Sequence, residues 1–202
     1  PISERRKNNT QAMVGFAKAM TAEEIDQAAA YFAAMTWTPW IKVVESDTAP
    51  KVRSAAGLYI PLEGAQAGTE PIGNRIVEVP ENPMFTETYR NPRSGFIAYV
   101  PKGSVAKGKD LATTGGGKTT ACVVCHGTDL NGVGSVPALA ARSPSYFARQ
   151  INDFRQGARK GNMNELMRSV AVKLSNDDIL NLAAYTASLP APSQGAAGTA
   201  AR

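Results

Sequence analysis

Histidine occurs once in these 202 residues and cysteine twice. That scarcity excludes metal centres built from several imidazoles, and it excludes a framework of more than one disulfide. Aromatic residues make up only 7% of the chain, and no apolar run approaches the ~20 residues a membrane-spanning helix requires. Charged residues are 19% and hydrophobic residues 43%, the range of an ordinary globular protein. The net charge of +5 comes without a basic stripe interleaved with aromatics, which argues against nucleic-acid binding. No signal peptide is visible. The chain opens at Pro1 on a polar, basic run, as expected of a processed or trimmed chain, or of one that begins partway through a longer protein.

What is present is concentrated. Both cysteines and the single histidine fall within five positions, Cys122-Val123-Val124-Cys125-His126. C-x-x-C-H is the attachment pattern of a c-type haem. Two thiols at this spacing reach the two vinyl groups of one porphyrin, and the next residue can put an imidazole nitrogen on the iron. A redox dithiol is the first rival, but it calls for the motif at the start of a helix that follows a strand. Here the motif follows Thr113-Thr114-Gly115-Gly116-Gly117-Lys118, read as a flexible loop, with no βαβ pattern around it. Zinc usually takes four ligands, and three Cys and His residues are present. A structural disulfide leaves the histidine unexplained. The run Gly115 to Thr119 imitates the tail of a phosphate-binding loop, but the earlier glycine that such a loop needs is Ala112 here.

A haem held by one imidazole needs a sixth ligand. With no second histidine, the downstream candidates are Met163 and Met167, and either could equally be core filler. Met167 stands on what reads as a loop just ahead of a helix. Ser175 and Asp178 make a capping-box-like start to that helix, and Ile179, Leu182, Ala183 and Leu189 fall along one of its faces. Phe147, Ile151 and Phe154 mark another helix, whose apolar side chains suit a core or the low-dielectric wall of a haem pocket. Arg142 and Tyr146 are candidates for hydrogen bonds to haem propionates, or plain surface residues.

The two ends of the chain repeat at an offset of 154 residues. Met13, Ala17 and Ile25 recur as Met167, Ala171 and Ile179, Ala29-Ala30-Tyr31 as Ala183-Ala184-Tyr185, and Arg5 as Arg159. Thr21 and Glu24 form a capping box where the later copy has Ser175 and Asp178. Residues 1–36 therefore read as the final third of a second domain whose own C-x-x-C-H is absent, either through truncation or because a separate chain supplies it. The alternative is a leftover helix with Met13 in a core. Residues 37–102 read as a strand-rich connector, with β-type runs at Ile41–Val44, Ala56–Ile60, Arg75–Val79 and Phe96–Val100 punctuated by Pro, Gly and Asn. Glu78 and Glu81 in it read as solvated.

From about Gly103 to Leu189 the sequence resembles a class I cytochrome c domain, and the chain as a whole resembles the two-haem periplasmic cytochromes c built from two such domains. The likeness rests on Cys122 to Gly127, on Tyr146 to Gly157, and on Met167, Ala171, Leu174-Ser175, Asp178-Ile179 and Leu182 to Tyr185. It implies a mainly α fold: a partial cytochrome domain at 1–36, a strand-containing connector at 37–102, the haem domain at 103–191 and a flexible tail at 192–202. It implies haem c with thioethers at Cys122 and Cys125, His126 as proximal and Met167 as distal ligand, and Met13 as distal ligand of a first-domain haem. Pro137 would offer its carbonyl to the imidazole N–H, and Gly108 would let the C-terminal helix and Tyr185 approach. The function implied is periplasmic electron transfer between redox-protein donors and acceptors, without catalytic residues, nucleic acid or a membrane span. His/Met ligation implies a positive potential. One haem is attachable on this chain; a second is implied for an intact two-haem protein. The rival functions are an electron-transfer subunit of a dehydrogenase or oxidase, and a haem enzyme with an open sixth position.

Overall fold

The computed structural model describes residues 10–36, 38–55, 57–161 and 163–191. Arg5, Ala56 and the tail 192–202 lie outside the described residues.

The chain begins with α1 (Thr10–Ala19) and α2 (Ala22–Ala34) and ends with α6 (Asn164–Ala171) and α7 (Asn176–Ser188). Moved along by 154 residues, α2 has the same bounds as α7. Each is opened by a capping box, Thr21 with Glu24 and Ser175 with Asp178, so two orphan amides are satisfied in each first turn. Burial separates the copies. The later helix buries Asp178, Ile179 and the run Leu182 to Ala187, whereas α2 buries no residue. Met13 on α1 is 66% exposed, so the alternative that puts it in a core is corrected.

Between the ends lies a small β unit. In its sheet β1 (Ile41–Glu45) runs parallel to β7 (Phe96–Val100), and β6 (Val77–Pro80) pairs antiparallel on the other edge of β7. Two antiparallel ribbons accompany it: β2 (Thr48–Pro50) with β5 (Thr69–Pro71), and β3 (Val52–Ala55) with β4 (Leu58–Pro61). Alternation turns Val77 and Val79 inward on β6 and Ala98 and Val100 inward on β7. With Ala49 and Ile72, the two valines form a core separate from that of the helices.

The helical unit comprises α3 (Ser104–Thr114), α4 (Val123–His126), α5 (Pro144–Arg155), α6 and α7. Its centre is a cluster that includes Leu111, Leu130, Phe147, Ile151, Ile179 and Leu182. The helices α3 and α7 cross at Gly108, where an added Cβ would stand 2.0 Å from the Asn181 carbonyl oxygen and 2.7 Å from the Tyr185 Cβ. The glycine run that follows is not a free loop. Gly115 ends α3 in the left-handed conformation (φ 76°), Thr114 Oγ accepts the Gly116 amide, and residues 115–117 close one 3-10 turn.

The β unit also supplies the helical unit's caps. Gly103 precedes α3 and has no side chain to offer, so Glu45 on β1 accepts the Val105 amide at 2.9 Å. Glu78 on β6 accepts the Ser143 hydroxyl at 2.9 Å and the Ser145 amide at 3.2 Å, both at the start of α5. The Asn74 amide donates to Asp177 in the first turn of α7, and Ile76 packs onto the helical core. The solvated reading of Glu78 and Glu81 is corrected: Glu78 is a cap, and Glu81 pairs with Lys42 at 2.6 Å. Helix amino ends attract carboxylates because their first amides lack partners.

Candidate functional site

The C-x-x-C-H run folds as a single helical turn. Cys122 is its N-cap, the Cys125 and His126 amides bond back to the Cys122 carbonyl, and Gly127 (φ 83°) stops it. Positions i, i+3 and i+4 share one side of a helix, so both sulfurs and the imidazole leave the backbone together. The motif therefore forms a helical turn, but a turn after α3 precedes it and not a strand. Both cysteines are unbridged; Cys122 is half-buried against the helical core and Cys125 is exposed.

His126 is 4% exposed, and its Nδ1 lies 2.8 Å from the Pro137 carbonyl oxygen. A carbonyl can only accept, so Nδ1 carries the hydrogen, and in a neutral imidazole Nε2 then keeps its lone pair. Nε2 is buried and has no hydrogen-bond partner. The ring is held by the turn behind it: the Gly132 amide donates to the His126 carbonyl at 2.8 Å, and Val133 and Val136 bond each other. Gly132 has φ 87°, and a Cβ there would lie 2.6 Å from the Val136 carbonyl oxygen, so this return of chain to Pro137 depends on glycine.

Met167 lies inside α6 and not on a loop, because Asn164–Ala171 is a usable amphipathic helix with Glu165 in its first turn and Arg168 in its last. Its side chain is half-buried against the cluster that Cys122 and Val123 also touch. Met163 caps the same helix in the left-handed region (φ 61°) and is 63% exposed. Arg142, half-buried, donates from Nε to the Ala138 carbonyl at 3.3 Å. Tyr146 stands half exposed in the first turn of α5. Met13 is far along the chain on exposed α1.

Two features carry no sequence signal. Asn131 Oδ1, in the turn behind the histidine, is buried without a partner. Lys118 Nζ lies 2.7 Å from both Asp178 oxygens, which ties the segment before Cys122 to the start of α7.

The rival chemistries fit this geometry poorly. Burial pushes the Cys122 thiol up to about 11, whereas a redox dithiol needs its thiolate at neutral pH. Among the described residues no group of three His, Cys, Asp or Glu side chains could hold a metal ion. An iron porphyrin fits: it would use the orphaned Nε2, two free thiols on the same side of the turn, the Met167 thioether and the apolar cluster that Cys122, Val123 and Met167 all touch.

A cytochrome c family model matches residues 105–190. Cytochrome c-554(548) of Halomonas halodenitrificans is 41% identical over 78 residues, which cover 38% of this chain and 94% of that protein. The chain belongs to the cytochrome c family. This cytochrome is also similar to cytochrome c4 of Stutzerimonas stutzeri, at 30% identity over 160 residues, 67% of this chain and 74% of the relative. A protein of the same species (strain A1501) named thiosulfate dehydrogenase electron acceptor is 44% identical over 69 residues, 34% of this chain. The match spans 32% of that acceptor's length. As a family member the chain carries covalently bound haem c and transfers electrons. No helix among the described residues is long and apolar enough to cross a membrane.

Proposed function

We propose that Cys122 and Cys125 hold the haem as thioethers, that His126 binds the iron through Nε2, and that Met167 takes the sixth position, in a periplasmic carrier that is not itself an enzyme. The observation that carries this reading is the buried, unpartnered Nε2 of an imidazole whose other nitrogen is fixed on the Pro137 carbonyl. Bound there, haem supplies a one-electron ferrous–ferric couple. The residues supply the rest. Pro137 holds the ring in one tautomer and orientation. The apolar cluster around Leu130, Phe147 and Met167 keeps water out. A thioether in place of a second imidazole raises the potential to a positive value. The half-buried place of Met167 favours a closed sixth position over the open one a haem enzyme would need.

The donors and acceptors are redox proteins, and a dehydrogenase of the kind served by the thiosulfate dehydrogenase electron acceptor is one candidate donor. The alternative as a fixed subunit of a dehydrogenase or oxidase remains in the same class. Residues 103–191 form the haem unit in this reading. Residues 10–36 are the closing segment of another, with Met13 at the place of Met167. The equal bounds and caps of α2 and α7 at the 154-residue offset support that, as does the bare apolar surface of Met13, Phe16 and Phe32. No cysteine precedes Cys122, so a motif for that haem would have to come from outside these residues.

Intact mass of the denatured protein tests the attachment. One haem mass retained on the peptide containing Cys122 and Cys125 is expected, and an unmodified chain would refute it. Met167→Ala should lose the weak red-end ferric band and lower the potential, while Met163→Ala should do neither. The reverse pattern would move the sixth ligand to Met163.

A further inference from the structure

The cytochrome c match covers residues 105–190 and stops short of the β unit. A cleft of about 280 Å³ beside Ile76 is lined by no charged side chain. Another, of about 240 Å³, is different. It is lined by Thr38, Pro39, Trp40, Pro92, Arg93 and Ser94, and so combines an indole, two proline rings, two hydroxyls and a guanidinium. This cleft lies where β1 and β7 begin. The two strands run parallel and α3 follows the far end of β7, so about 16 Å of strand separates the cleft from the helical unit.

Local sequence builds both walls. Trp40 leads into β1: its carbonyl accepts the Phe96 amide at 2.7 Å, and its ring meets the Phe96 ring edge-on at 5.9 Å. Opposite, residues 81–95 form a loop whose ends are tied by the Glu81 amide on the Gly95 carbonyl at 2.9 Å. The last turn of that loop is Asn91-Pro92-Arg93-Ser94. The Asn91 carbonyl accepts the Ser94 amide at 3.1 Å, and the Asn91 side-chain oxygen accepts the Arg93 amide at 2.9 Å. Pro92 fixes φ at the second position. Arg93 and Ser94 are therefore presented by a turn set before any ligand arrives, which lowers the ordering cost of binding.

Two polar groups are left over at this place. Ser94 Oγ is buried and has no hydrogen-bond partner, a state that calls for an explanation in a native protein. Arg93 is exposed, and among the described residues no ion pair or hydrogen bond engages its guanidinium. The neighbouring carboxylates are already neutralised. Glu81, which lies against Gly95, pairs with Lys42 at 2.6 Å, and Glu87 pairs with Arg53 at 2.8 Å.

A guanidinium offers a planar fork of N–H donors that matches a carboxylate, and a serine hydroxyl adds one more donor. The indole and the proline rings suit an apolar body. The cleft is smaller than the pockets of about 300–1,000 Å³ that take drug-sized ligands, so that body is about one ring. We propose that this cleft binds a small aromatic carboxylate, with its ring against Trp40 and its carboxylate on Arg93 and Ser94. Such a site stands apart from the electron-carrier reading and involves no contact with haem.

The test titrates the haem-loaded, isotope-labelled full chain with benzoate. Shifts of the Trp40 indole N–H and of the Arg93 and Ser94 amides should saturate with a Kd on the order of 1 mM, as suits so small a ligand. Benzamide, which keeps the ring without the charge, should bind about tenfold more weakly, and so should sulfate, which keeps charge without a ring. Arg93→Gln should weaken benzoate about tenfold and Ser94→Ala about threefold. Arg90→Gln, on the same loop but outside the cleft, should change it less than about twofold. Sulfate as effective as benzoate would reduce the site to a bare surface charge and overturn the proposal. Equal effects of the Arg93 and Arg90 substitutions would do the same. A benzoate response that never saturates also overturns it. So does one that moves the ferric haem spectrum and leaves Trp40 still, since the anion would then sit on the iron.

Discussion

Asp178 accepts Lys118 Nζ at 2.7 Å on both oxygens while the same carboxylate takes the Ser175 amide at 2.9 Å and the Ser175 hydroxyl at 2.8 Å. One side chain therefore closes the cap of α7 and anchors the segment that leads into the C-x-x-C-H turn.

That arrangement has a pH signature. Burial works against the Asp178 carboxylate, but the Lys118 and Ser175 hydrogen bonds outweigh it and hold the group below its ordinary 3.8. A carboxyl depressed in the folded state contributes stability above its unfolded value and loses it as pH falls through the folded one. Asp178→Asn should cost about 1 kcal/mol at neutral pH. The gap from wild type in urea melts should then shrink as pH falls below 3.8. A gap that stays constant with pH would show that the charge contributes nothing.

Gly108→Ala inverts a common expectation. In a helix interior alanine is better than glycine by about 1 kcal/mol. Here the new Cβ meets the Asn181 carbonyl at 2.0 Å, so α3 and α7 must separate. We expect a net loss of about 1–3 kcal/mol in chemical unfolding. A more stable variant would mean that the helices yield freely.

The repeat supplies a matched pair of substitutions. Ile25 and Ile179 hold the same position in α2 and α7, yet Ile25 is 47% exposed and Ile179 is 4% exposed. Ile179→Ala should cost about 2–5 kcal/mol. Ile25→Ala should stay within about 0.5 kcal/mol, as surface changes do. Equal costs would mean that α2 is covered in solution.

Glu78→Ala should free the Ser143 hydroxyl and the Ser145 amide at the start of α5. Loss of such a cap costs about 1 kcal/mol. Hydrogen exchange should speed up first at Ser145, while α7 amides keep their protection. Uniform acceleration would place the loss in global stability instead of at this cap.

Much of this was legible in the sequence for a local reason. Capping boxes, the haem motif, the Phe147-Ile151 helix and four of the strands are written in patterns spanning fewer than about ten residues, and such patterns survive folding. β2, β3 and β5 were not legible, since three or four residues with proline at the ends of two of them carry no clear alternation. Met167 reads as a loop residue in the sequence because the eight-residue α6 lacks a side-chain cap to announce it. The cap roles of Glu45 and Glu78 and the ion pair of Lys118 have no local signal, because their partners lie 60–67 positions away, where nothing in either segment points to the other.

The family match begins at residue 105, yet the groups that finish the helices after it sit before it. A gene fragment cut at that boundary would encode α3 and α5 with their amino ends stripped of Glu45 and Glu78, and a helical core missing the cover of Ile76. A piece that keeps both caps starts at β1 instead. In this chain the edge recognised by similarity and the edge drawn by helix capping do not coincide, and an engineer moving the haem-bearing part to another scaffold would have to replace what Glu45 and Glu78 supply.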